Sequence, residues 1–309
     1  MTRNLTVAPT NDRQPTGRDV VASMRDVDKR YGDFDALTDV SFDLEHDKIY
    51  GLLGRNGAGK STIMSILTGQ SIQTSGDVTV FGATPFENAR VLRGVSFIKE
   101  SQTYPDDLRV KHVLSTAGHL MEHWDREFAE LLLDDFQLPL GRRVKKLSRG
   151  MKSALGVIIG LASRAPLTLF DEPYLGLDAV ARQMFYDRLL ADYAEHPRTV
   201  VLSTHLIDEV ANLLEHVIVV DRGRILLDDD ADGLRQRAVV VTGPTAAVDI
   251  FAAKGTVLQR DSLGSQARAT VQVTADVADR ARLLDAGGTL EPASLQELVI
   301  RTTTQEPTP

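Results

Sequence analysis

Three groups of polar residues in this chain have the types and spacing for phosphate chemistry. The first is Gly54-Arg55-Asn56-Gly57-Ala58-Gly59-Lys60-Ser61-Thr62, which fits the P-loop pattern G-x-x-x-x-G-K-[ST]. Glycines let a backbone wrap closely round phosphate oxygens, with N–H groups and a helix N-terminus aimed at the negative charge. In that arrangement Lys60 would reach the β- and γ-phosphates and the Ser61 hydroxyl would hold Mg²⁺. The second group is Asp171-Glu172, two adjacent carboxylates that follow the apolar run Pro166–Phe170. In a fold built on such a loop, this strand end lies beside the phosphates. One acid can then hold Mg²⁺ while the next faces an attacking water. The third is His205, directly after the strand-like Thr199–Thr204. On its own, a histidine at a strand end is a weak signal. Tyr31, in the turn Tyr31-Gly32-Asp33, offers either an aromatic platform for an adenine ring or ordinary packing.

Two other groupings carry less chemistry. His112, His119 and His123 fall at i, i+7 and i+11 and could share one helix face. Without a fitting carboxylate or thiolate pattern they read as helix-surface histidines. Asp228-Asp229-Asp230 with Asp232 lacks the spacing of a calcium loop. It reads as a solvated turn whose acids favour the start of a following helix.

The phosphate residues need rigid elements to hold them. Lys48–Leu53 reads as a short buried strand before the loop, and Ile63, Ile66 and Leu67 after it share a helix face that Gly69 can close. Val20–Asp28 and Leu37–Leu44 suggest an antiparallel pair, and Thr79–Gly82 and Val95–Ile98 two more strands around a helix at Pro85–Arg93. Residues 101–163 read as a helical insertion, with helices at Val110–Met121 and Arg126–Phe136 and a third opened by Ser148 as N-cap. In that third helix Gly156 and Gly160 predict close packing on a sheet. Leu206–Leu214 reads as helix and His216–Val220 as strand. Beyond about residue 236 the order β-α-β-β-α-β suggests a small ferredoxin-like unit, followed by a short helix at Leu295–Thr302 and a fraying end from Thr303. Met1–Arg18, rich in Thr, Asn, Pro and Arg without periodicity, predicts a disordered tail.

At 309 residues the chain can bury one large domain and a small one. A net charge of −8 argues against a large nucleic-acid surface. The absence of cysteine excludes disulfides and thiolate metal sites and fits a reducing compartment. The longest apolar-or-glycine run, Ala154–Ala162, is far short of the ~20 residues a membrane span needs. No secretory signal is visible at the N-terminus, so a cytosolic chain is expected, with any membrane role supplied through a partner.

From Val20 to Arg235 the ordered motifs resemble the ATP-binding subunit of ABC transporters. Gly54–Thr62 resembles the Walker A motif and Leu167–Glu172 Walker B. Leu147-Ser148-Arg149-Gly150-Met151 stands where the family signature L-S-G-G-Q lies. Leu175-Gly176-Leu177-Asp178 looks like the D-loop, His205 like the switch histidine, and Tyr31 like the adenine-stacking aromatic. The resemblance implies a P-loop NTPase core with an antiparallel β subdomain and a helical subdomain over residues 19–235, and an accessory α+β module over 236–309. It departs from the family pattern in the signature, where Arg149 and Met151 replace Gly and Gln. It departs again where the family's Q-loop usually has glutamine and this chain has Glu100; Gln102, two residues on, is the alternative, and the sequence alone does not decide between them. Such variants resemble a bacterial subgroup that includes acetoin-utilisation and bacitracin-type subunits.

What the resemblance implies for function follows from those positions. Each Mg-ATP would lie between the P-loop of one subunit and the signature of another, with Ser148 and Gly150 touching the γ-phosphate in trans and Asp178 close by. Ser61, Asp171 and Glu100 would position Mg²⁺, Glu172 would polarise water, and His205 would contact the γ-phosphate. The subunit would sit on the inner face of the cell membrane and drive a separately encoded permease docked near Glu100–Leu147, with export favoured by the C-terminal Ser294–Ile300. The other readings are a soluble ABC-type ATPase acting on a ribosomal or nucleic-acid complex, and a non-catalytic nucleotide sensor. The charge balance and the intact Glu172 and His205 speak against these. The C-terminal module could bind a small ligand, bridge a dimer or simply pack.

Overall fold

Strand-forming and helix-forming segments alternate along the chain, and the computed structural model describes residues 20–273 and 277–304. The tail expected over 1–18 and the last residues, 305–309, lie outside that range. Strands β1 (Val20–Tyr31) and β2 (Phe34–Glu45) form an antiparallel hairpin around Gly32-Asp33, where Gly32 takes a positive φ of 58°. Then come β3 (Ile49–Leu53), α1 (Lys60–Leu67), β4 (Ser75–Val80), the single turn α2 (Ala89–Leu92) and β5 (Val95–Lys99). Three helices follow: α3 (Val110–Leu120), α4 (Arg126–Asp135) and α5 (Arg149–Ala162). The chain returns to strand at β6 (Leu167–Asp171), then runs through α6 (Ala179–Glu195), β7 (Thr199–Thr204), α7 (Ile207–Val210), β8 (His216–Asp221), β9 (Arg224–Asp230) and α8 (Ala231–Arg237). A last unit holds β10 (Ala238–Pro244), α9 (Thr245–Ala252), β11 (Thr256–Leu263), β12 (Gln266–Gln272), α10 (Val277–Asp285), β13 (Thr289–Pro292) and α11 (Leu295–Thr304).

The central sheet has the order β5-β6-β7-β3-β8-β9 and is parallel except for β9. Every residue of β3, β6 and β7 is buried, as expected of parallel strands covered on both faces. On one face Tyr50, Leu52, Leu167 and Leu169 pack with Ile63, Met64 and Leu67 of α1 and with the antiparallel sheet β2-β1-β4. On the other, Leu53, Phe170 and Leu202 pack with α5 and α6. Helix α5 can lie close because Gly156 and Gly160 face the sheet. A Cβ at Gly160 would stand 2.4 Å from Phe170 Cε1 and 2.7 Å from Ile98 Cγ1. The sheet of the last unit has the antiparallel order β11-β12-β10-β13. Alternation along β10 sends Val239 and Val241 toward α9 and α10, and Val240 toward α11 and the main core.

Several local expectations change. The helix expected over Pro85–Arg93 is the single turn α2. Glu87 takes a φ of +51°, and Asn88 then caps a new start by accepting from Val91 N. The helix expected over Leu206–Leu214 breaks after Val210 into a 3₁₀ turn, Ala211–Leu213. Asp228 and Asp229 are strand residues paired with β8, not a turn. Asp228 takes a 2.7 Å bond from His216 Nε2, and Asp230 opens α8 as its N-cap. Thr303 and Thr304 complete α11 rather than fraying. His123 lies past the end of α3, so the three histidines do not share one helix face.

Candidate functional site

Four neighbouring strands in the central sheet, β5, β6, β7 and β3, end at the same level. Lys99 is paired with Asp171, Asp171 with Ser203, and Leu53 with Thr204. The residues that follow each strand therefore meet at one sheet edge, where ligands bind in open α/β folds. Beyond β3 the chain forms the glycine loop, beyond β6 it presents Glu172, beyond β7 His205, and beyond β5 Glu100. A cleft of about 690 Å³ there is lined by Asn56, Gly57, Gly59, Lys60, Ser61, Thr62, Glu100, Asp171, Glu172 and His205, with Phe34, Ala36 and Leu175.

The loop is shaped by its glycines. Gly54 takes φ 151°, and a Cβ there would strike Val220 O at 2.2 Å; Gly59 takes φ 114° as the N-cap of α1. No acidic side chain occupies the first turn of α1, so its N-terminal dipole is open to an anion. Lys60 is buried, and its Nζ donates to Gly54 O at 2.8 Å and Arg55 O at 3.2 Å. Burial lowers its proton affinity, and the carboxylates of Glu172 and Asp171 pull it back up. Glu172 Oε1 lies 4.0 Å from Nζ.

The two acids are buried and incompletely partnered. Asp171 Oδ1 and Glu172 Oε1 have no hydrogen-bond donor. Buried carboxylate oxygens without donors are costly on their own, and they suit a divalent cation and an ordered water. Glu172 adopts a left-handed φ of 50°, which turns its side chain out of the strand direction at some cost in backbone strain. Its other oxygen, Oε2, lies 2.8 Å from His205 Nδ1 and also accepts the Tyr174 hydroxyl.

The remaining expected residues divide into three sets. Gly54, Arg55 and Ala58 build the loop itself, Arg55 through its carbonyl, which also accepts Ala58 N at 3.1 Å. Glu100 lines the cleft, with its carboxylate on Arg149 Nη2 at 3.0 Å, while Gln102 turns back so that its Oε1 accepts Lys99 N at 3.2 Å. Tyr31, Ser148, Gly150 and Asp178 do not line the cleft of their own chain. Tyr31 is half exposed, with Lys29 Nζ 4.6 Å above its ring. Ser148 caps α5 through Met151 N, and Asp178 caps α6 through Ala181 N. A Cβ at Gly150 would stand 2.6 Å from Gly176 O, so glycine is needed there for packing alone.

Two residues were not singled out from the sequence. Phe34 lines the cleft from the cross-strand position opposite Tyr31. The hairpin register, unknown until the turn length is fixed, is the signal that would have found it. Tyr174 reaches Glu172 and His205 by folding back from the segment after β6, and nothing in local sequence periodicity marks it.

The family profile described as "ABC transporter" matches residues 37–175. A bacitracin transport ATP-binding protein of Bacillus licheniformis is 30% identical over 215 residues, covering 69% of this chain and 70% of that protein. A lantibiotic transport ATP-binding protein of Streptococcus pyogenes is 31% identical over 214 residues, covering 68% of this chain and 91% of that one. The chain belongs to the ABC transporter ATP-binding family. It is an ATPase. The fold agrees: a solved ATP-binding subunit of an ABC transporter superposes with a TM-score of 0.64 at 24% identity, over 70% of this chain and 92% of the other. A dimeric ATP-binding cassette bound to ADP and phosphate gives 0.60 at 20% identity, over 68% and 98%. In this member of the ABC family the glycine loop, the paired acids and His205 meet at one edge of the central sheet.

Proposed function

We propose that this ATPase powers export through a separately encoded membrane permease, hydrolysing Mg-ATP at the interface of two ATP-binding subunits. One observation carries the reading. Lys60, Ser61, Asp171, Glu172 and His205 converge on one cleft, whereas the signature residues Ser148 and Gly150 are absent from its lining. A site missing its signature half is complete only when a second subunit brings one. Among the described residues no helix is long and apolar enough to cross a membrane; in this reading a separately encoded permease supplies the transport path. Export is supported by similarity to proteins such as the Nod factor export ATP-binding protein I of Rhizobium meliloti, 32% identical over 211 residues. The working location is then the cytoplasmic face of the membrane. We assign residues 19–235 to the ATP-binding domain and 236–309 to the accessory module.

Within the cleft each group has a distinct task. Lys60 and the amides of 54–60 hold phosphate charge, and the dipole of α1 adds to them. Asp171, Ser61 and Glu100, which line the same cleft, would hold Mg²⁺, and the ion would neutralise charge on the phosphate oxygens. Glu172 orients and polarises the attacking water, and His205 contacts the γ-phosphate. Phe34 and Tyr31 flank the turn expected to face the adenine.

Glu172→Gln tests the assignment directly. Turnover should fall by at least about 100-fold while ATP binding persists and nucleotide-bound dimers accumulate in size-exclusion chromatography. Wild-type turnover in that variant would overturn the assignment. Affinity purification from detergent-solubilised membranes should recover a multi-span protein; ribosomal material instead would overturn the transporter reading.

A further inference from the structure

The hydroxyl of Tyr174 has more acceptors than protons. The residue is 3% exposed. Thr204 Oγ1 donates to its oxygen at 2.8 Å and His205 N at 3.3 Å, which uses both lone pairs. One O–H remains for two acceptors, Glu172 Oε2 and His205 Nδ1, the latter at 3.2 Å. Those two groups are themselves 2.8 Å apart. Burial, and after it the hydrogen bond to Glu172, hold the phenol protonated well beyond neutral pH. The ring is kept in place by the Arg182 guanidinium, 5.9 Å from its centroid, and by Leu177 N donating to Tyr174 O at 2.9 Å.

We propose that Tyr174 is a positioning residue that turns its single O–H, without losing the proton, between Glu172 and His205, and so sets both the freedom of the base and the tautomer of the histidine. The proposal rests on the roles given above to Glu172 and His205. In one arrangement the Tyr174 O–H and His205 Nδ1–H both bond Glu172 Oε2. Neutral His205 then presents a bare Nε2, an acceptor that repels phosphate oxygens, and the carboxylate is held. In the other, the Tyr174 O–H turns to Nδ1. His205 then carries its proton on Nε2, where it donates to phosphate, and Glu172 is released to take a bond from water. No net proton is gained: Nδ1 gives one to solvent and Nε2 takes one, which the 41% exposure of the His205 side chain permits. Phosphate entering the cleft favours the second arrangement, because only that one offers it a donor from neutral His205. Binding would thereby free the base.

Tyr174→Phe in the full-length chain keeps the ring and removes only the hydroxyl. Its kcat should fall about 10- to 100-fold, the equivalent of a charged hydrogen bond, with KM for ATP changed less than about threefold. Nitrogen-15 NMR of His205 with ATP and Mg²⁺ should show the Nε2–H tautomer dominant in the wild type and lost in the variant. Thr204→Val, which leaves the tyrosine and removes a donor to its oxygen, should shift kcat and the tautomer in the same direction and keeps the test open if Tyr174→Phe folds poorly. Wild-type kcat in both variants, a change confined to KM, or an unaltered tautomer would each overturn the proposal. Glu172→Gln measured alongside separates the two levels. If it is inactive while Tyr174→Phe is fully active, only the tyrosine's role fails; if it is fully active, the site reading fails.

Discussion

Asp192 shows what a single buried charge does away from the cleft. Its Oδ1 accepts Arg164 Nη2 at 2.7 Å and Nε at 3.0 Å, and its Oδ2 lies 2.7 Å from Arg198 Nη1. Arg164 also reaches Asp125, the N-cap of α4, at 2.5 Å. Asp192 and Arg198 are both almost fully buried, and burial lowers the proton affinity of Arg198 against the pull of Asp192. Asp192→Ala leaves the buried Arg198 without its counter-ion and Arg164 with Asp125 alone. It should cost about 3–5 kcal/mol in urea unfolding. A loss below about 1 kcal/mol would mean that water solvates the arginines in place of the acid. The exposed pair Arg149–Glu100 has similar geometry, with side chains 70% and 47% accessible, and solvent screening leaves it worth at most about 1 kcal/mol.

At the scale of elements, the contact between α5 and the sheet aligns the helical segment with the strands that carry the acids. Ser153 Oγ, on α5, donates to Leu175 O at 2.6 Å, so the start of this helix is tied to the segment just beyond Glu172. Gly160→Ala places a methyl against Phe170 and Ile98 and should destabilise by about 1–3 kcal/mol. Gly156→Ala meets Ile98 Cγ2 at 3.0 Å and the Tyr104 hydroxyl at an ordinary 3.7 Å, and should cost clearly less. Thermal melts of the two variants give the ranking; equal melting temperatures would show that α5 can shift away from the sheet. The i, i+4 glycines made this contact readable in the sequence, as did the apolar strands that aim Asp171 and His205. Helix α6 is not legible in the sequence. Its buried positions, Phe185, Tyr186, Leu189 and Asp192, keep a helical spacing, but Asp192 is charged and the apolar Val180 and Leu190 are exposed, which blurs the stripe.

For the whole molecule, the last unit is joined to the ATPase core through apolar contact. Val240, Leu295, Leu298 and Val299 share one cluster with Ile207 and Val210 of α7, the helix that begins two residues after His205. Removing residues 238–309 would uncover that surface. The shortened chain should melt several degrees lower and aggregate sooner on heating, as static light scattering would record. A melting temperature equal to that of the full chain would show the two parts to be independent.

The sequence alone determined the chemistry at the sheet edge. The P-loop spacing, the paired acids after an apolar strand and the strand-end histidine are local patterns, set by backbone sterics and by which residues a buried strand tolerates. Tertiary structure alone decided which residues meet. Strand order and register bring four strand ends to one level. The hairpin register puts Phe34, not Tyr31, on the cleft wall, and Glu100 rather than Gln102 faces it. Tyr174 meets His205 across thirty-one positions of chain, and Glu172 meets it across thirty-three. Such contacts depend on side-chain direction between elements distant in sequence, and no local period encodes that.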